Sequence, residues 1–440
     1  MRPTRFQIIC PAARQFRIER PGQRAPLRAR IFRFSMLTPL SVAAAAPPNV
    51  EVSVVDESVE PVDLDADVDL VGISFMTFNA PRAYELARSF RERGRTVLFG
   101  GHHPTLLPEE AAEHCDAVCV GAAEPNVPRM IEDWRSGRLQ RFYRHAQREL
   151  RSAPVDPGLL HGRQYMAATL IQATRGCRNR CEFCSVSAFS SWSLLQKPVD
   201  AVVEEIRRGG RRRVLFIDDS LSADPAYLRA LLEAMVPLRV RWYSQMGFDV
   251  TRDARLLDLL QRSGCRGLFI GLESLSQESL EETRKGFNRA ADYREGIRRL
   301  HERGIAVVGA FVLGYDHDGP DVFDRTLGFL EEAEVDALQL TVLTPFPGTP
   351  LHRRLERERR LLDRNWEHYD LGHVVFEPRA VGAAELRAGH DRILARFYSW
   401  PSILRRLGRG LRHLRPSELG LLGLVNLGYR LKTRRDGYVR

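Results

Sequence analysis

Short apolar runs alternate with amphipathic stretches of helical length, and this alternation occurs twice along the 440 residues of the chain. Alternating strands and helices predict a parallel sheet, because a crossover helix returns the chain to the start of the next strand. The length exceeds that of one ordinary domain. We therefore predict two α/β domains, each with its binding groups at the carboxyl ends of the strands.

The first series predicts a doubly wound, Rossmann-like sheet. Small residues at the ends of its strands would let a large ligand approach the backbone. The predicted strands are Arg5 to Cys10, Val52 to Asp56, Asp69 to Ser74, Thr96 to Gly100 and Asp116 to Val120, and the predicted helices are 38–46, 82–93, 108–114 and 124–134.

The second series contains six strand–helix units, which predict a partial (β/α)6 TIM-type barrel rather than a complete eightfold one. Its predicted strands are 168–174, 214–217, 241–245, 267–271, 307–313 and 337–342. A polar stretch with two prolines precedes it and is typical of a linker. The predicted division is 1–145 for the first domain, 146–166 for the linker, 167–360 for the barrel and 361–440 for a mainly helical accessory region.

Three cysteines lie close together after the first strand of the second series. Cys177, Cys181 and Cys184 are separated by three and then two residues. Three thiolates can hold three irons of a [4Fe-4S] cube and leave the fourth iron open. Zinc fits poorly, since the paired spacing of four ligands is missing, and seven cysteines in 440 residues do not indicate a disulfide framework. The spacing indicates an iron-sulfur cluster.

This segment resembles the signature of the radical S-adenosylmethionine superfamily, Cys-x-x-x-Cys-x-aromatic-Cys, with Phe183 as the aromatic residue. The resemblance implies that the open iron chelates the amino and carboxylate groups of S-adenosylmethionine. It also implies that an electron from the cluster cleaves the sulfonium and gives a 5′-deoxyadenosyl radical. Phe183 is then expected on the adenine side of the cluster loop.

Further segments of the predicted barrel resemble S-adenosylmethionine-binding elements of that superfamily. Gly271 to Ser274 resembles its Gly-x-Glu-Ser element, and Gly309 to Gly314 resembles the element that packs against adenine. Asp218 and Asp219 take the place of the motif that meets the methionine amino group, although the usual Gly-Gly-Glu is missing. Asp219 and Ser274 also suit helix caps. The expected binding set is Phe183, Asp218, Asp219, Gln245, Glu273, Ser274 and Gly314.

Residues 5–145 resemble the cobalamin-binding domain that precedes many radical S-adenosylmethionine domains. The resemblance is carried by Leu37 to Leu40, Val55 to Glu57 and the Gly100-Gly101 loop, and it departs at Ala122, where glutamate is usual. The Gly-Gly pair also suits a simple turn. The expected cobalamin contacts are Ser74, Thr77, Gly100, Gly101, Gly121 and Glu124.

A protein ligand to cobalt is not expected, because the chain lacks the Asp-x-His-x-x-Gly motif that supplies one in some cobalamin proteins. His102 or His103 could be proposed as a substitute. Histidines in such a loop more often make hydrogen bonds or face solvent.

The net charge of +10 is concentrated at the two ends of the chain. Nucleic acid is an unlikely partner, since the basic ends lack interleaved aromatic residues. The apolar helix pattern from Leu419 to Val425, beside basic residues, could lie on a membrane surface or pack as an ordinary helix. The sequence shows no export signal and no apolar stretch of spanning length, so we expect a cytoplasmic protein.

The two resemblances together imply a cobalamin-dependent radical S-adenosylmethionine enzyme, most simply a methyltransferase acting at an unactivated carbon. One S-adenosylmethionine would methylate the cobalamin and another would give the radical. A cyclase or rearrangement enzyme of the same architecture is the alternative, and a non-catalytic cobalamin or iron-sulfur binding protein is another. The expected partners are a small-molecule or lipid-like substrate and an electron donor such as flavodoxin or ferredoxin.

Overall fold

The computed structural model describes residues 2–23, 37–151, 156–160, 165, 168–191 and 193–435. The chain divides into two compact units. Unit 1 contains residues 1–166 together with two short later segments, 346–348 and 364–370. Unit 2 contains the remaining residues, 167–345, 349–363 and 371–440. Within the predicted linker 146–166, residues 152–155, 161–164 and 166 lie outside the described part of the chain.

Unit 1 is built on a parallel sheet of six strands in the order β2-β1-β3-β4-β5-β6. The strands are β1 Thr4–Cys10, β2 Val50–Asp56, β3 Leu70–Ser74, β4 Thr96–Gly100, β5 Ala117–Cys119 and β6 Phe142–Tyr143. The helices are α1 Leu37–Ala45, α2 Ala80–Glu92, α3 His102–Leu106, α4 Pro108–Glu113 and α5 Val127–Arg135.

The apolar pattern of α2 explains how its helix packs on this sheet. Ala83, Leu86, Ala87 and Phe90 are buried, and their spacing of three, four and seven residues places them on one face. The strand order reverses direction between β1 and β3. In a doubly wound sheet this reversal opens a crevice at the carboxyl ends of the strands, which is where ligands bind.

Unit 2 contains a second parallel sheet, in the order β14-β13-β12-β11-β10-β7. Its strands are β7 Thr169–Ile171, β10 Arg213–Phe216, β11 Arg241–Met246, β12 Cys265–Glu273, β13 Ala306–Leu313 and β14 Ala337–Val342. The helices are α6 Ser185–Phe189, α7 Val199–Gly209, α8 Pro225–Met235, α9 Ala254–Ser263, α10 Gln277–Glu282, α11 Tyr293–His301, α12 Val322–Glu332, α13 Pro350–Arg357, α14 Ala383–Phe397, α15 Trp400–Gly410 and α16 Pro416–Arg435. The predicted α/β class with a helical C-terminal region is confirmed.

A short antiparallel hairpin in unit 2 was not predicted from the sequence. The long apolar run that begins at Ala168 ends as a strand at Ile171, and the chain then forms β8 Thr174–Gly176, which pairs antiparallel with β9 Leu194–Gln196. Gly176 has φ +87°, and a Cβ there would lie 2.3 Å from the carbonyl oxygen of Ser193. Strands of three residues are too short to give a periodic sequence signal.

The C-terminal helices pack on the outer side of β14. The Tyr398 hydroxyl donates a hydrogen bond of 2.6 Å to the carbonyl of Leu338 and accepts one of 2.9 Å from the Leu338 amide. Arg406 is buried, donates to Asn426 of α16 at 2.6 Å and lies over the ring of Phe397. Among the described residues, no helix has the length and apolarity needed to cross a membrane.

Candidate active site

The three cysteines of the motif lie in the loop that follows β8. Cys177 and Cys181 are buried, and Cys184 is half-buried at the start of α6. Burial raises the pKa of Cys181 to about 12, and it also raises that of Cys177. The thiols therefore hold their protons unless a bound cation draws off charge. These two thiols and the thiol of Cys184 form a group of three, which fits a [4Fe-4S] cluster with one open iron.

A lysine that was not predicted from the sequence stands beside these thiols. Lys285 Nζ lies 3.0 Å from Glu273 Oε1, and only 15% and 12% of the two side chains are exposed. Burial lowers the pKa of Lys285, but the charges of Glu273 and Cys181 outweigh burial and raise it. Lys285 is therefore a permanent cation next to the thiols, and it offsets the negative charge that a thiolate-bound cluster would bring.

The backbone at Glu273 is held in an uncommon conformation. Glu273 has φ +69°, and the pairing of β12 with β13 is irregular between Gly271 and Glu273. A Cβ at Gly271 would lie 2.3 Å from Glu273 Oε1. The side chain of Asn288 donates a hydrogen bond of 2.8 Å to the Gly271 carbonyl, and Tyr293 donates to the Leu272 carbonyl at 2.5 Å. Strain of this kind is typical of functional sites and is maintained by the surrounding contacts.

A network of arginine ion pairs links the cysteine loop to residues that follow the last two strands of the barrel. Glu182, between two of the cysteines, accepts from Arg354 Nε at 3.0 Å. Arg354 also donates to Asp316 at 2.8 Å, and Asp316 accepts from Arg360 at 2.5 Å. The carboxylates outweigh the effect of burial and raise the pKa of Arg354. Because bidentate and shared arginine contacts fix geometry, the loop is braced from outside its own segment.

Asp218 and Asp219 serve the cluster loop in different ways. Asp218 is buried and accepts from Thr174 Oγ1 at 2.7 Å, from the Thr174 amide, and from the Ala173 amide at 3.3 Å. Burial raises its pKa to about 7, so it is a poor permanent anion for an ammonium group. Asp219 is half-buried and accepts from the Gly176 amide at 2.8 Å, which places it close to Cys177.

The other residues that were predicted to contact S-adenosylmethionine either make local contacts within the protein or are exposed. Ser274 is buried, and its hydroxyl accepts from the Ser276 amide at 3.0 Å, as in a turn. Gln245 is exposed on β11. The Gly314 amide donates to Asp318 at 2.9 Å, and its φ of +103° explains the glycine. Phe183 makes an edge contact with the buried ring of Tyr315, at 6.1 Å between ring centres.

In unit 1, the ends of β4 and β5 form two glycine turns joined by a threonine. Gly101 has φ +101°, and a Cβ there would lie 2.8 Å from the backbone of Phe75 and 3.0 Å from Ser74 Oγ. Thr105 donates to the Gly101 carbonyl at 2.7 Å and accepts from the Gly121 amide at 2.9 Å. Gly121 has φ +88° and open space where a Cβ would be. These small residues form a cradle suited to a bulky ligand at the carboxyl edge of the sheet.

The remaining residues of unit 1 that were predicted to contact cobalamin are buried or half-buried. Thr77 is buried, whereas Gly100 and Glu124 are half-buried. His103 is fully buried, and its Nε2 lies 2.9 Å from the Tyr84 hydroxyl and 3.4 Å from Glu110. Glu110 also accepts from Trp366 Nε1 at 2.8 Å. These partners give His103 a structural role.

A second group of potential metal ligands lies at the opposite, amino-terminal edge of the sheet in unit 2. The ligand atoms of His301, Asp336 and His413 all lie within 4.8 Å of one another. The two imidazole rings are stacked at 4.1 Å between centres and only 25° from parallel. Their lone pairs therefore run side by side, and one metal ion would sit well out of both ring planes. We interpret the group as a carboxylate shared by two imidazoles.

This carboxylate predicts a loss of stability in acid. Burial acts to raise the pKa of Asp336, but the hydrogen bond with His301 at 2.9 Å, the imidazole of His413 at 3.7 Å and the hydrogen bond from the Val307 amide outweigh it and lower the pKa to about 2. A lowered pKa stabilises the folded state above the unfolded value near 4, and the contribution of about 2 kcal/mol disappears as the pH falls towards 2. We expect Asp336→Asn to lower the melting temperature at pH 6, and to show a smaller further decrease between pH 5 and pH 3 than the parent protein. An unchanged decrease would contradict this assignment.

Lys285 could have been found from composition. Of the 66 lysine and arginine residues, only three are lysines: Lys197, Lys285 and Lys432. Lys197 is also buried and paired, at 2.7 Å from Glu205. Because arginine is the usual cation of this chain, a lysine indicates a position that needs a compact charge with three hydrogen-bond donors. No comparable sequence signal predicts the contacts of Asn288, Thr105 and Arg354, because each contact joins segments that are distant in the sequence.

Three family models match successive parts of the chain. The B12 binding domain matches residues 40–130, and the Radical SAM superfamily matches residues 171–330. A domain of unknown function (DUF4070) matches residues 349–421. The glycine cradle and the cysteine loop each lie within the corresponding matched segment.

Solved structures of low sequence identity share the fold. TsrM, a radical S-adenosylmethionine methyltransferase from Kitasatospora setae whose structure holds cobalamin and a [4Fe-4S] cluster, superposes with a TM-score of 0.69 at 15% identity, covering 99% of this chain and 100% of the other. OxsB, a cobalamin-dependent S-adenosylmethionine radical enzyme, superposes with a TM-score of 0.67 at 14% identity, covering 98% of this chain and 72% of the other.

Curated relatives match most of the chain. The bacteriochlorophyllide d C-12(1)-methyltransferase of Chlorobaculum tepidum is 31% identical over 351 residues, which cover 77% of this chain and 76% of the relative. The hopanoid C-2 methylase of Rhodopseudomonas palustris is 24% identical, with 86% and 74% covered. The cofactors are a [4Fe-4S] cluster, S-adenosylmethionine and cobalamin, and the chain belongs to the cobalamin-dependent radical S-adenosylmethionine methyltransferases.

Proposed function

We propose that this methyltransferase adds a methyl group to an unactivated carbon on a side chain of a chlorin-type tetrapyrrole. The observation that carries the proposal is the 31% identity to a bacteriochlorophyllide d C-12(1)-methyltransferase over three quarters of both chains. A bacteriochlorophyllide d C-8(2)-methyltransferase of the same organism is 26% identical over 388 residues. The hopanoid methylases are 24% and 23% identical, so a polycyclic lipid is the second candidate.

We assign the cluster to Cys177, Cys181 and Cys184, and we infer that Glu273 and Lys285 orient S-adenosylmethionine beside it. When bound, the cluster and S-adenosylmethionine supply a carbon-centred radical, and cobalamin supplies the methyl group. The Glu273 carboxylate accepts hydrogen bonds, which suits the ammonium or ribose hydroxyls of the cofactor. Lys285 pairs with the Glu273 carboxylate at 3.0 Å and holds it in place. Phe183 adds an apolar surface for adenine, Gln245 offers an exposed amide, and Asp219 supports the cluster loop.

Three residues that were predicted to bind S-adenosylmethionine make hydrogen bonds within the protein, and we propose different roles for them. We propose that Asp218 positions the end of β7, that Ser274 closes the turn after Glu273, and that Gly314 gives its amide to Asp318. Each polar group already has a partner within the protein. These residues then act on S-adenosylmethionine only by shaping the backbone around it.

For cobalamin, we propose that the cradle of Gly100, Gly101 and Gly121 receives the cofactor, with Ser74 and Glu124 at its rim. Thr77 is buried and supports the loop after β3. Among the residues that the structure describes, the Nδ1 atom of the fully buried His103 has no hydrogen-bond partner, and it does not reach solvent. We therefore infer that the cradle binds cobalamin through shape and backbone groups.

The cradle predicts a selective defect for Gly101→Ala. Its positive φ and the overlap of an added Cβ with Phe75 would push the loop into the ligand space. We expect cobalamin retention, measured from the visible spectrum after reconstitution and desalting, to fall at least tenfold. Gly94→Ala is the matched control, since Gly94 has φ +73° but no atom within 4 Å of an added Cβ. Equal loss in both variants would point to general strain instead.

Cyclisation is the competing reaction. An anaerobic magnesium-protoporphyrin IX monomethyl ester cyclase of Cereibacter sphaeroides is 24% identical and covered over 58% of its length. The two reactions differ in product mass, because methylation adds one CH2 and ring formation does not. Methyl transfer from labelled S-adenosylmethionine therefore separates them.

The deciding experiment is an anaerobic incubation of the reconstituted enzyme with S-adenosylmethionine, cobalamin, a low-potential reductant and either bacteriochlorophyllide d or a hopanoid. We expect labelled methyl in the tetrapyrrole product only. Labelled hopanoid would establish the lipid candidate, and 5′-deoxyadenosine without methylated product from either compound would overturn both substrate assignments.

We further propose that a flavodoxin or ferredoxin in a reducing cytoplasm supplies the electron. The reaction needs an external reductant, and all seven cysteines are free thiols in the structure. Reduction of the cluster by purified flavodoxin, followed by visible absorbance, tests the donor.

A further inference from the structure

Helix α15 exposes large apolar side chains along one line. The exposed fractions are 50% for Trp400, 64% for Leu404 and 70% for Leu411, which directly follows the helix. They are four and seven residues apart, and these spacings return to the same face of a helix. Isolated exposed leucines are ordinary, but an aligned row is typical of an interaction surface.

Helix α16 packs against α15 and exposes one further leucine. A Cβ at Gly423 would lie 4.0 Å from Leu407 Cδ2, so the two helices contact each other there. The next residue, Leu424, is 53% exposed. The guanidinium of Arg430 lies 4.8 Å from the centre of the Trp400 ring. The predicted membrane-surface segment from Leu419 to Val425 is mostly packed, so α15 carries most of the exposed apolar surface.

The exposed charged residues within residues 400–432 have one sign. Within residues 400–432, Arg405, Arg412, Arg415 and Lys432 are exposed. The one acidic residue in that range, Glu418, is only 3% exposed. A second copy of the chain would bring the same cations face to face, and nucleic acid offers no apolar surface for the leucines. An anionic lipid surface satisfies both features, since it has phosphates at the level of the arginines and acyl chains beneath.

We propose that α15 and the exposed edge of α16 dock on the surface of an anionic lipid bilayer. Trp400, Leu404, Leu411 and Leu424 enter the boundary between headgroups and acyl chains. Arg405, Arg412 and Arg415 contact the phosphates, and their alkyl stems extend along the apolar row. The docking is independent of the methyl-transfer reaction.

The test is co-sedimentation of the full-length reconstituted protein with vesicles of phosphatidylglycerol and phosphatidylcholine in equal parts. We expect binding that weakens at least tenfold with pure phosphatidylcholine and in high salt. Leu404→Glu should reduce partitioning at least tenfold. Leu362→Glu is the matched control, since Leu362 is 57% exposed in unit 2 and lies outside the two helices; it should bind like the parent protein.

A double variant, Arg412→Gln with Arg415→Gln, tests the charge separately. We expect it to lose the preference for phosphatidylglycerol while keeping cluster content and S-adenosylmethionine cleavage. Equal binding by the parent protein and Leu404→Glu would overturn the proposal, as would a parent dimer in solution that Leu404→Glu converts to monomer. Because vesicle binding needs no substrate, failure here leaves the methyltransferase assignment untouched, and the reverse also holds.

Discussion

Replacing Cys181 by alanine is expected to abolish cleavage of S-adenosylmethionine. Two remaining thiolates cannot hold a [4Fe-4S] cube with a single open iron. Iron content per chain and the absorbance of the cluster should fall to the level of the unreconstituted protein. Production of 5′-deoxyadenosine under reducing anaerobic conditions should fall at least a thousandfold, to background. Cobalamin loading should remain, since the glycine cradle lies in the other unit.

The control for this variant is Cys265→Ala. Cys265 is fully buried on β12 in the same unit and is also a free thiol. Its removal leaves a small cavity that costs about 1 to 2 kcal/mol, and it should leave iron content unchanged. If Cys181→Ala still bound four irons and cleaved S-adenosylmethionine, the cluster assignment would be wrong.

Replacing Lys285 by methionine is expected to have the second largest effect. Glu273 would lose its partner while remaining mostly buried, and removal of one member of a buried pair costs about 3 to 5 kcal/mol. The cation beside Cys181 would also be lost. We expect cleavage of S-adenosylmethionine to fall about a hundredfold per intact cluster. The apparent Kd for S-adenosylmethionine should rise as well.

The variant Lys197→Met is the control that distinguishes a loss of function from a loss of stability. Lys197 is a buried lysine paired with Glu205 at 2.7 Å, and it lies after β9, outside the cysteine loop. Both variants should lose stability by similar amounts in thermal unfolding, but Lys197→Met should keep its activity per intact cluster. The double variant Glu273→Gln with Lys285→Met should recover part of the stability and none of the activity. Full activity in Lys285→Met would exclude a role for this lysine in cofactor binding.

Local patterns allowed much of this molecule to be predicted. The spacing of Cys177, Cys181 and Cys184 needs only a short segment, and the parallel sheets follow from alternation of strands and helices. Glu273 was found because it ends a strong apolar strand. The partners of these residues could not be predicted in the same way. Whether Asp218 faces a ligand or the amide of Thr174 depends on the register of β10 against β7, which no local pattern records.

The same limit explains why the contact of Lys285 with Glu273 and the hairpin of β8 and β9 could not be predicted, although the rarity of lysine marks Lys285 itself. Lys285 reaches Glu273 because twelve residues of turn and short helix fold back on the strand end, and this return has no periodic signal. The hairpin depends on Gly176 accepting a left-handed conformation close to Ser193. Such contacts are set by tertiary packing, which overrides local propensity.

The contact between Glu182 and Arg354 indicates a structural role for the segment that the domain of unknown function matches. Arg354 lies in the segment matched by a domain of unknown function, and its partner stands inside the cysteine motif. We therefore expect cluster assembly in the barrel to depend on a downstream part of the polypeptide. A chain that ends before residue 349 would carry every cluster ligand and still lack the brace that keeps the loop in place. Early termination should then yield an iron-poor protein even though its sequence motif is complete.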